Sequence, residues 1–168
     1  MLYVKMILVV RKDPMGNGTT VEDDGNGEFP AVLNGPEAKV VSTESGRDGF
    51  VCWYRNPQQP GQASLGIAYQ AGDEYKIMRP DFLFFASSSE GDVVVDLVDP
   101  HGAFLGDALA KLRGLAQYAE GHASVYRRLI SVDIINGRLR ALDLKNQDVR
   151  KAIANADADD PTAVKNLY

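Results

Sequence analysis

The sequence predicts an α/β domain with a mixed central sheet flanked by helices. Three observations lead to this fold class. Short apolar segments typical of strands alternate with segments of helical periodicity. Residues 92–98 are almost continuously Val and Leu, as expected for a central strand that is buried on both faces. The pair Asn136-Gly137 separates two apolar runs, which indicates a β-hairpin. These segments together predict helices packed on the faces of a sheet.

The chain begins with an apolar strand and one capped helix. Residues 2–11 are rich in Val, Ile and Leu and predict a strand, whereas residues 15–28 are rich in Gly, Asn and Asp and predict a loop. Asn34 is a suitable N-cap for a helix over residues 35–45. Glu37 favours the same helix, because a carboxylate in the first turn interacts well with the helix dipole.

The middle of the chain predicts three strands that form a meander. They cover residues 50–55, 64–70 and 76–85, and each is followed by a segment rich in turn-forming residues. Pro80 interrupts the third strand, which places it at a strand start, a bulge or a sheet edge.

The second half predicts a helix, a hairpin and a last helix. Residues 106–120 repeat apolar side chains at helical spacing. The hairpin strands cover residues 125–135 and 138–144, and a helix follows over residues 146–154. The remaining residues, 156–168, predict a polar tail.

Length and composition limit the classes of protein that fit. The 168 residues suffice for one domain, and we place its bounds at residues 34–155, after an extension over 1–33 and before the tail at 156–168. A single cysteine excludes an intrachain disulfide and the usual four-ligand zinc sites. No apolar run is long enough for a membrane span, so we expect a cytoplasmic protein without a membrane partner.

The charge of the chain is unevenly distributed. The net charge is −5, which argues against indiscriminate binding to nucleic acid. Residues 1–105 contain 8 Lys/Arg against 15 Asp/Glu, whereas residues 106–151 contain 9 against 5. An acidic first part suits a metal site and a basic second part suits a phosphate-binding surface, although charge alone favours the interpretation that the basic residues form solvated faces of helices and hairpins.

Two carboxylates in strand-like segments carry the clearest chemical signal. Asp81 opens a predicted strand, and Asp96 lies within the apolar strand that follows. An ionised carboxylate in such a strand requires a cationic partner or a metal ion. Asp81, Asp96 and the backbone carbonyl of Leu97 therefore form a candidate Mg²⁺ or Mn²⁺ site of oxygen ligands. Each aspartate also has a structural interpretation. Asp81 is then a turn aspartate, and Asp96 is then part of a buried ion pair, with Arg79 or Lys111 as its partner.

The segment Arg79-Pro80-Asp81-Phe82, followed by an acidic buried strand and a helix that contains Lys111, resembles the PD-(D/E)xK nuclease superfamily. More narrowly, residues 34–155 resemble the C-terminal nuclease region of restriction-modification helicases, such as type III restriction subunits. The resemblance implies a restriction-endonuclease-like fold with an α-β-β-β-α-β core. It also implies metal-dependent hydrolysis of phosphodiester bonds in DNA, in a restriction or phage-defence system.

One position departs from the superfamily pattern. The expected Glu-x-Lys is Asp96-Leu97-Val98 in this sequence, and a valine can neither orient a water molecule nor stabilise charge. The resemblance makes Lys111 the candidate replacement, so that Asp81, Asp96 and Lys111 are the candidate catalytic residues. Lys111 on a solvated helix face is the structural interpretation.

Further candidates surround these residues. Glu37, Asp99 and His101 are possible additional site residues: Glu37 could project from the first helix, and Asp99 and His101 follow the acidic strand. The candidate DNA contacts are two pairs of neighbouring polar residues, Arg55 with Asn56 and Arg127 with Arg128. Each of these residues also has an ordinary structural interpretation, as a helix, turn or strand-end residue.

Two other functional classes stay open. One is a catalytically inactive nuclease-fold domain used for DNA binding or assembly, which Val98 favours. The other is a small α/β interaction domain in which Asp81 and Asp96 are structural. The resemblance further implies a helicase motor, in cis or in trans, and is compatible with a homodimer. A phosphate-loop nucleotide enzyme is disfavoured, because no Gly-x-x-x-x-Gly-Lys segment is present.

Overall fold

A computed structural model of the chain describes residues 2–4, 29–31, 33–102 and 106–168. It has a mixed central sheet flanked by helices, which confirms the predicted α/β class. The strands are β1 (Leu2–Val4), β2 (Phe29–Ala31), β3 (Phe50–Arg55), β4 (Ile67–Ala71), β5 (Glu74–Met78), β6 (Phe82–Ser87), β7 (Val93–Pro100), β8 (Arg128–Ile135) and β9 (Arg138–Asp143). The helices are α1 (Gly35–Ser45), α2 (Ala108–His122), α3 (Gln147–Asn155) and α4 (Ala163–Leu167).

The central sheet has five strands in the order β3-β6-β7-β8-β9. All neighbouring strands are antiparallel except β7 and β8, which are parallel and are connected through α2. A parallel pair requires such a crossover, because the chain must return to the end of the sheet from which it started. Along the chain, α1, β3, β6, β7, α2 and β8 have the predicted α-β-β-β-α-β order.

The predicted meander is wrong, because β3 pairs directly with β6. The intervening strands β4 and β5 form a separate two-stranded hairpin. Asn56 links the two ends of this insertion through hydrogen bonds. Its side-chain Nδ2 donates to the carbonyls of Leu65 and Pro80, at 2.9 and 2.8 Å. Its Oδ1 accepts from Leu65 N at 2.8 Å. These hydrogen bonds satisfy backbone groups at the points where the chain leaves and re-enters the sheet.

Local sequence signals correctly predict the helix starts and the second hairpin. Asn34 caps α1, because its side chain accepts from Glu37 N at 2.9 Å. In turn, Glu37 Oε2 accepts from Asn34 N. Asn146 caps α3 in a similar way through Asp148 N. Asn136 and Gly137 both have positive φ angles, 52° and 75°, as a type I′ turn requires.

The core lies on both faces of the central sheet. On one face, Val40 and Val41 of α1 pack on a cluster that includes Trp53 and Val98. On the other face, α2 packs on a larger cluster that includes Leu97. Because neighbouring residues of a strand point to opposite faces, β7 contributes to both clusters, as expected for a strand buried on both sides. The hairpin of β4 and β5 packs on α2.

The predicted tail over residues 156–168 is wrong in part, because it contains α4. Ala163 and Val164 of α4 are buried, and the hydroxyl of Tyr168 lies 2.6 Å from Ser131 Oγ on β8. The aspartates before α4 suggest a solvated segment, and only the contacts of α4 with the core decide that it belongs to the domain.

In the N-terminal extension, β1 pairs with β2 in an antiparallel two-stranded sheet. The rest of the predicted first strand, residues 5–11, and the predicted loop at 15–28 lie outside the described residues. None of the helices that the structure describes combines the length and the apolar character of a membrane span.

Candidate functional site

The carboxylate that lies next to Asp81 is Asp99. In the register of β6 and β7, Phe82 is opposite Val98, so the next position outwards brings Asp81 beside Asp99. The backbone N–H of Asp81 donates to Asp99 Oδ1 at 3.2 Å. Asp81 also accepts from Gln58 Nε2 at 3.1 Å. Two carboxylates therefore meet where the central strand β7 ends.

A cavity of about 210 Å³ opens beside Asp81, whereas Asp99 does not line it. It lies between the first turn of α1 and the ends of β7 and β8. Its polar lining includes Asn34, Glu37, Asp81, His101 and Asp133, and its apolar wall includes Val40, Val132, Ile134 and Leu139. The cavity thus combines acidic groups and a histidine with apolar side chains, as is typical of small-molecule and substrate sites.

Glu37 and Arg55 form an ion pair at this cavity. Arg55 Nη2 donates to Glu37 Oε1 at 2.6 Å, and Glu37 is otherwise held by the cap of α1. The guanidinium of Arg55 also lies over the ring of Phe82, 5.9 Å from its centroid. Arg55 is therefore a fixed cation beside the carboxylates, and its planar guanidinium suits a phosphate oxygen as well as a carboxylate.

His101 is buried beside Asp99, and its ring is oriented by the backbone. Its Nε2 lies 2.7 Å from the carbonyl oxygen of Ala108. A carbonyl can only accept, so Nε2 carries the proton of that bond. Nδ1 then faces Asp99 Oδ2 at 3.7 Å, and in a neutral ring it is an acceptor. Metal-binding histidines commonly have this arrangement, in which the other ring nitrogen donates to a carbonyl.

The electrostatics of the cavity oppose an isolated negative charge on Asp81. Burial, together with the charges of Asp99 and Glu37, raises the pKa of Asp81 to about 7, and Arg55 lowers it in part. Carboxylates that crowd one another in this way disfavour full ionisation unless a cation joins them. The site is therefore chemically suited to a hard divalent cation with oxygen ligands.

No group of three or more His, Cys, Asp or Glu side chains is arranged to hold a metal ion among the described residues. Glu37 is turned towards Arg55 and Asn34 rather than towards the two aspartates. The oxygen donors of Asp81 and Asp99 fit Mg²⁺ or Mn²⁺ by their chemistry, and His101 Nδ1 fits Mn²⁺ better than Mg²⁺.

The structure does not bring Asp96 together with Asp81, which corrects the predicted pair. Asp96 is opposite Phe84 in β6 and lies three residues before Asp99, roughly 10 Å away at the usual rise of a strand. Its side chain is 1% exposed and binds the guanidinium groups of Arg127 and Arg128. Asp96 therefore belongs to a structural ion-pair network, as in the alternative interpretation of this residue, but its partners are Arg127 and Arg128 rather than Arg79 or Lys111, which that interpretation considered.

Lys111 and Leu97 also lie apart from the cavity. Lys111 Nζ binds Asp107 Oδ2 at 3.0 Å within α2, and Asp107 also contacts the hydroxyl of Tyr69 on the inserted hairpin. Leu97 is fully buried and pairs with a strand on each side, so its backbone carbonyl lies inside the sheet. Neither residue lines the cavity.

The predicted DNA contacts have separate environments. Asn56 is 1% exposed and fastens the inserted hairpin, so the predicted phosphate contact is wrong for this residue. Arg55 lies at the cavity with Glu37. Arg127 and Arg128 lie at the start of β8 and line an open groove with Arg47.

The residues that lie near Asp81 in the structure are those predicted from the sequence as possible additional site residues. Glu37, Asp99 and His101 join Asp81, whereas Asp96 and Lys111 do not. Asp133, which also lines the cavity, was not predicted. A signal for Asp99 and His101 is present in the sequence, because Asp99-Pro100-His101 has the spacing of an acid and a second polar group two positions later.

Comparison with known proteins identifies the family. The model of the YagJ family matches residues 20–168. The chain belongs to the YagJ family. Protein YagJ of Escherichia coli (strain K12) is 58% identical over 134 residues, which cover 80% of this chain and 55% of that protein. The chain thus spans a little over half the length of this curated relative. No solved structure matches the chain. Neither name states an activity.

Proposed function

We propose that this chain is a divalent-metal-dependent nuclease domain that hydrolyses phosphodiester bonds in DNA, with Asp81 and Asp99 as its metal-binding carboxylates. The observation that carries the proposal is the contact at the end of β7, where Asp99 Oδ1 accepts from the backbone N–H of Asp81 next to a cavity that Asp81 and His101 line. Carboxylates on neighbouring strands provide the hard oxygen ligands that Mg²⁺ and Mn²⁺ prefer.

The element order supports the resemblance to the PD-(D/E)xK superfamily. Pro80-Asp81 precedes the second strand of an α-β-β-β-α-β series, and the second acid lies on the third strand. We take Asp99 as that acid, because the register of β6 and β7 brings it opposite Asp81, and the proposed motif is then Asp99-Pro100-His101 in place of Asp96-Leu97-Val98. A histidine then occupies the position that the superfamily gives to lysine. Unlike Val98, it can accept or donate a proton.

The residues of the cavity have complementary roles in this proposal. A bound metal ion would lower the pKa of a water molecule and stabilise charge on the phosphate. Asp81 and Asp99 would hold the ion, and His101 Nδ1 can ligate it or accept a proton. Arg55, fixed by Glu37, is the cation that can neutralise a phosphate oxygen.

Cleavage of supercoiled and linear DNA by the purified chain, with Mg²⁺ or Mn²⁺, tests the proposal. We expect metal-dependent cutting that is lost in Asp81→Asn and in Asp99→Asn, and reduced in His101→Gln. Asp96→Asn is the decisive comparison, because it removes a buried carboxylate from the same strand but from outside the cavity. A folded Asp96→Asn protein should still cut.

Asp92→Asn provides a matched control, since Asp92 is exposed at the start of the same strand. Equal cutting by the wild-type chain and by Asp81→Asn would point to a contaminating nuclease. A folded wild-type chain that neither cuts DNA nor binds Mn²⁺ would overturn the proposal, once a motor partner has been supplied in the assay.

The proposal also includes a motor protein that acts together with the nuclease domain. Nuclease regions of the restriction-helicase type work with a motor, which would lie on a longer polypeptide or on a partner protein. Addition of ATP and candidate motor subunits to the cleavage assay tests this dependence. A rate that is unchanged by every such addition would favour a stand-alone nuclease.

A second candidate is an inactive nuclease-fold domain that binds DNA. The observation that favours it is the position of Lys111, which pairs with Asp107 outside the cavity and leaves the site without the lysine of the superfamily. Binding of DNA that is equally tight with EDTA and with Mg²⁺, without cleavage, would identify this function.

A further inference from the structure

We propose that a second site, which binds the phosphate backbone of a polynucleotide, lies at the opposite end of α1 from the cavity. Its residues are Arg47, after the end of α1, and Arg127 and Arg128, at the start of β8. They line an open groove of about 510 Å³, which we call the arginine groove. The identification of this polymer as DNA rests on the proposed function, but binding at the arginine groove does not require catalysis.

The arginine groove is built on two buried carboxylates. The side chains of Glu44 and Asp96 are 2% and 1% exposed, whereas those of Arg47, Arg127 and Arg128 are 46%, 34% and 24% exposed. The carboxylates thus lie beneath the guanidinium groups, and the positive layer faces solvent. An anion that approaches this surface meets the three arginines together with Asp48, whose exposed side chain also lines the groove.

The anchoring contacts fix the guanidinium groups without using all their donors. Arg127 binds Asp96 through Nε and Nη2, and Arg47 binds Glu44 through Nε at 2.6 Å. A guanidinium has five N–H donors. Arg127 Nη1 and both Nη atoms of Arg47 have no hydrogen-bond partner within the described residues. Prepositioned guanidinium groups with unused donors are suited to bidentate recognition of phosphate oxygens.

The placement of the arginine groove favours a polymer over a small anion. The groove is open rather than enclosed, so it can follow an extended backbone. Lys145, whose Nζ binds the carbonyls of Tyr126 and Arg127, adds a further positive charge beside it. Glu37 lies at the cavity and Glu44 lies beneath the arginine groove, seven residues apart on the buried face of α1. That spacing is about 10 Å along the helix, close to three steps of a duplex at about 3.4 Å each.

Binding of a short fluorescent DNA duplex to the Asp81→Asn chain in EDTA isolates this site from catalysis. Salt is varied between about 50 and 200 mM. Each lost phosphate contact lowers the slope of log affinity against log salt by about 0.9. For Arg47→Gln we expect that reduction, so the loss of affinity across this range becomes three- to fourfold smaller than for the parent chain. The paired change Arg127→Gln with Asp96→Asn should lower the slope further, without leaving a buried charge alone.

Arg138→Gln is the matched control, because it removes the same charge from the β8–β9 turn, at the other end of β8. Equal slopes for Arg47→Gln, the paired variant and Arg138→Gln would overturn the inference, as would tight binding of inorganic phosphate in the arginine groove without binding of DNA. DNA binding that depends on the arginines, by a wild-type chain that neither cuts DNA nor binds Mn²⁺ in the presence of a motor partner, would support this site and refute the nuclease. Metal-dependent cutting, together with salt slopes that the arginine substitutions leave unchanged, would support the nuclease and refute the arginine groove.

Discussion

Replacement of Asp81 by asparagine should stabilise the metal-free protein at neutral and alkaline pH. Asparagine has nearly the shape of aspartate and retains an oxygen that can accept from Gln58 Nε2. It removes a carboxylate whose pKa is raised from 3.8 to about 7, chiefly by burial and next by the charge of Asp99. The variant therefore keeps the local hydrogen bond and loses an unfavourable charge.

The sign and the size of the effect follow from the two pKa values. Below the unfolded value of 3.8, the carboxyl group is protonated in both states and contributes no difference. Between 3.8 and about 7 only the unfolded chain releases the proton, so wild-type stability falls as pH rises. Above about 7 the penalty is constant. Three pKa units correspond to roughly 4 kcal/mol, and partial solvent access reduces this to about 2–4 kcal/mol.

Urea unfolding in EDTA, followed by the fluorescence of the single tryptophan, Trp53, measures this effect. Trp53 is fully buried, so its emission reports on the core. The free energies of unfolding of wild type and Asp81→Asn should diverge as pH rises from about 4 to 7 and then run parallel. Asp92→Asn should stay within about 0.5 kcal/mol of wild type throughout. An Asp81→Asn protein that is no more stable than wild type at about pH 8 would refute the reasoning. Added Mn²⁺ should stabilise wild type and not the variant.

Three further substitutions test separate parts of the structure. Asp96→Ala should destabilise the fold by about 1–3 kcal/mol in urea unfolding, because Arg127 loses its counter-charge whereas Arg128 keeps Glu44; a loss below about 0.5 kcal/mol would contradict the ion-pair network. Lys111→Ala should change stability by less than about 0.5 kcal/mol and leave any cleavage rate unchanged, since it removes only a surface pair within α2. Gly114→Ala should cost about 1–3 kcal/mol, because a Cβ would lie 2.3 Å from Tyr69 Cβ, whereas Gly121→Ala in the same helix meets no atom and should not destabilise.

Part of the site could be predicted from the residue types alone. Asp81 beside Pro80 is an unusual carboxylate at a strand start, and it lines the cavity. Glu37, Asp99 and His101 were named as further candidates, and each lies at the cavity or beside Asp81. The partner of Asp81 could not be predicted in the same way, because residues 96 to 99 are all buried. A strand buried on both faces has no alternation of apolar and polar residues that could indicate its register.

The local features of the fold follow from residues that are close together in the chain. The capping residues Asn34 and Asn146, the pair Asn136-Gly137 and the apolar strand at 93–98 act through short-range geometry, and the structure has a helix start, a turn or a strand at each. Such signals depend on backbone angles and neighbouring hydrogen bonds, which the nearby residues control.

Contacts between residues that are distant in the chain depend on the packing of the whole domain. The pairing of β3 with β6 excluded the inserted hairpin from the central sheet, and the register of β6 with β7 placed Asp99, not Asp96, beside Asp81. The same packing places α4 on the core. These outcomes depend on the burial of side chains that are far apart in the sequence, and a shift of one residue in register would move every side chain of a strand to the opposite face.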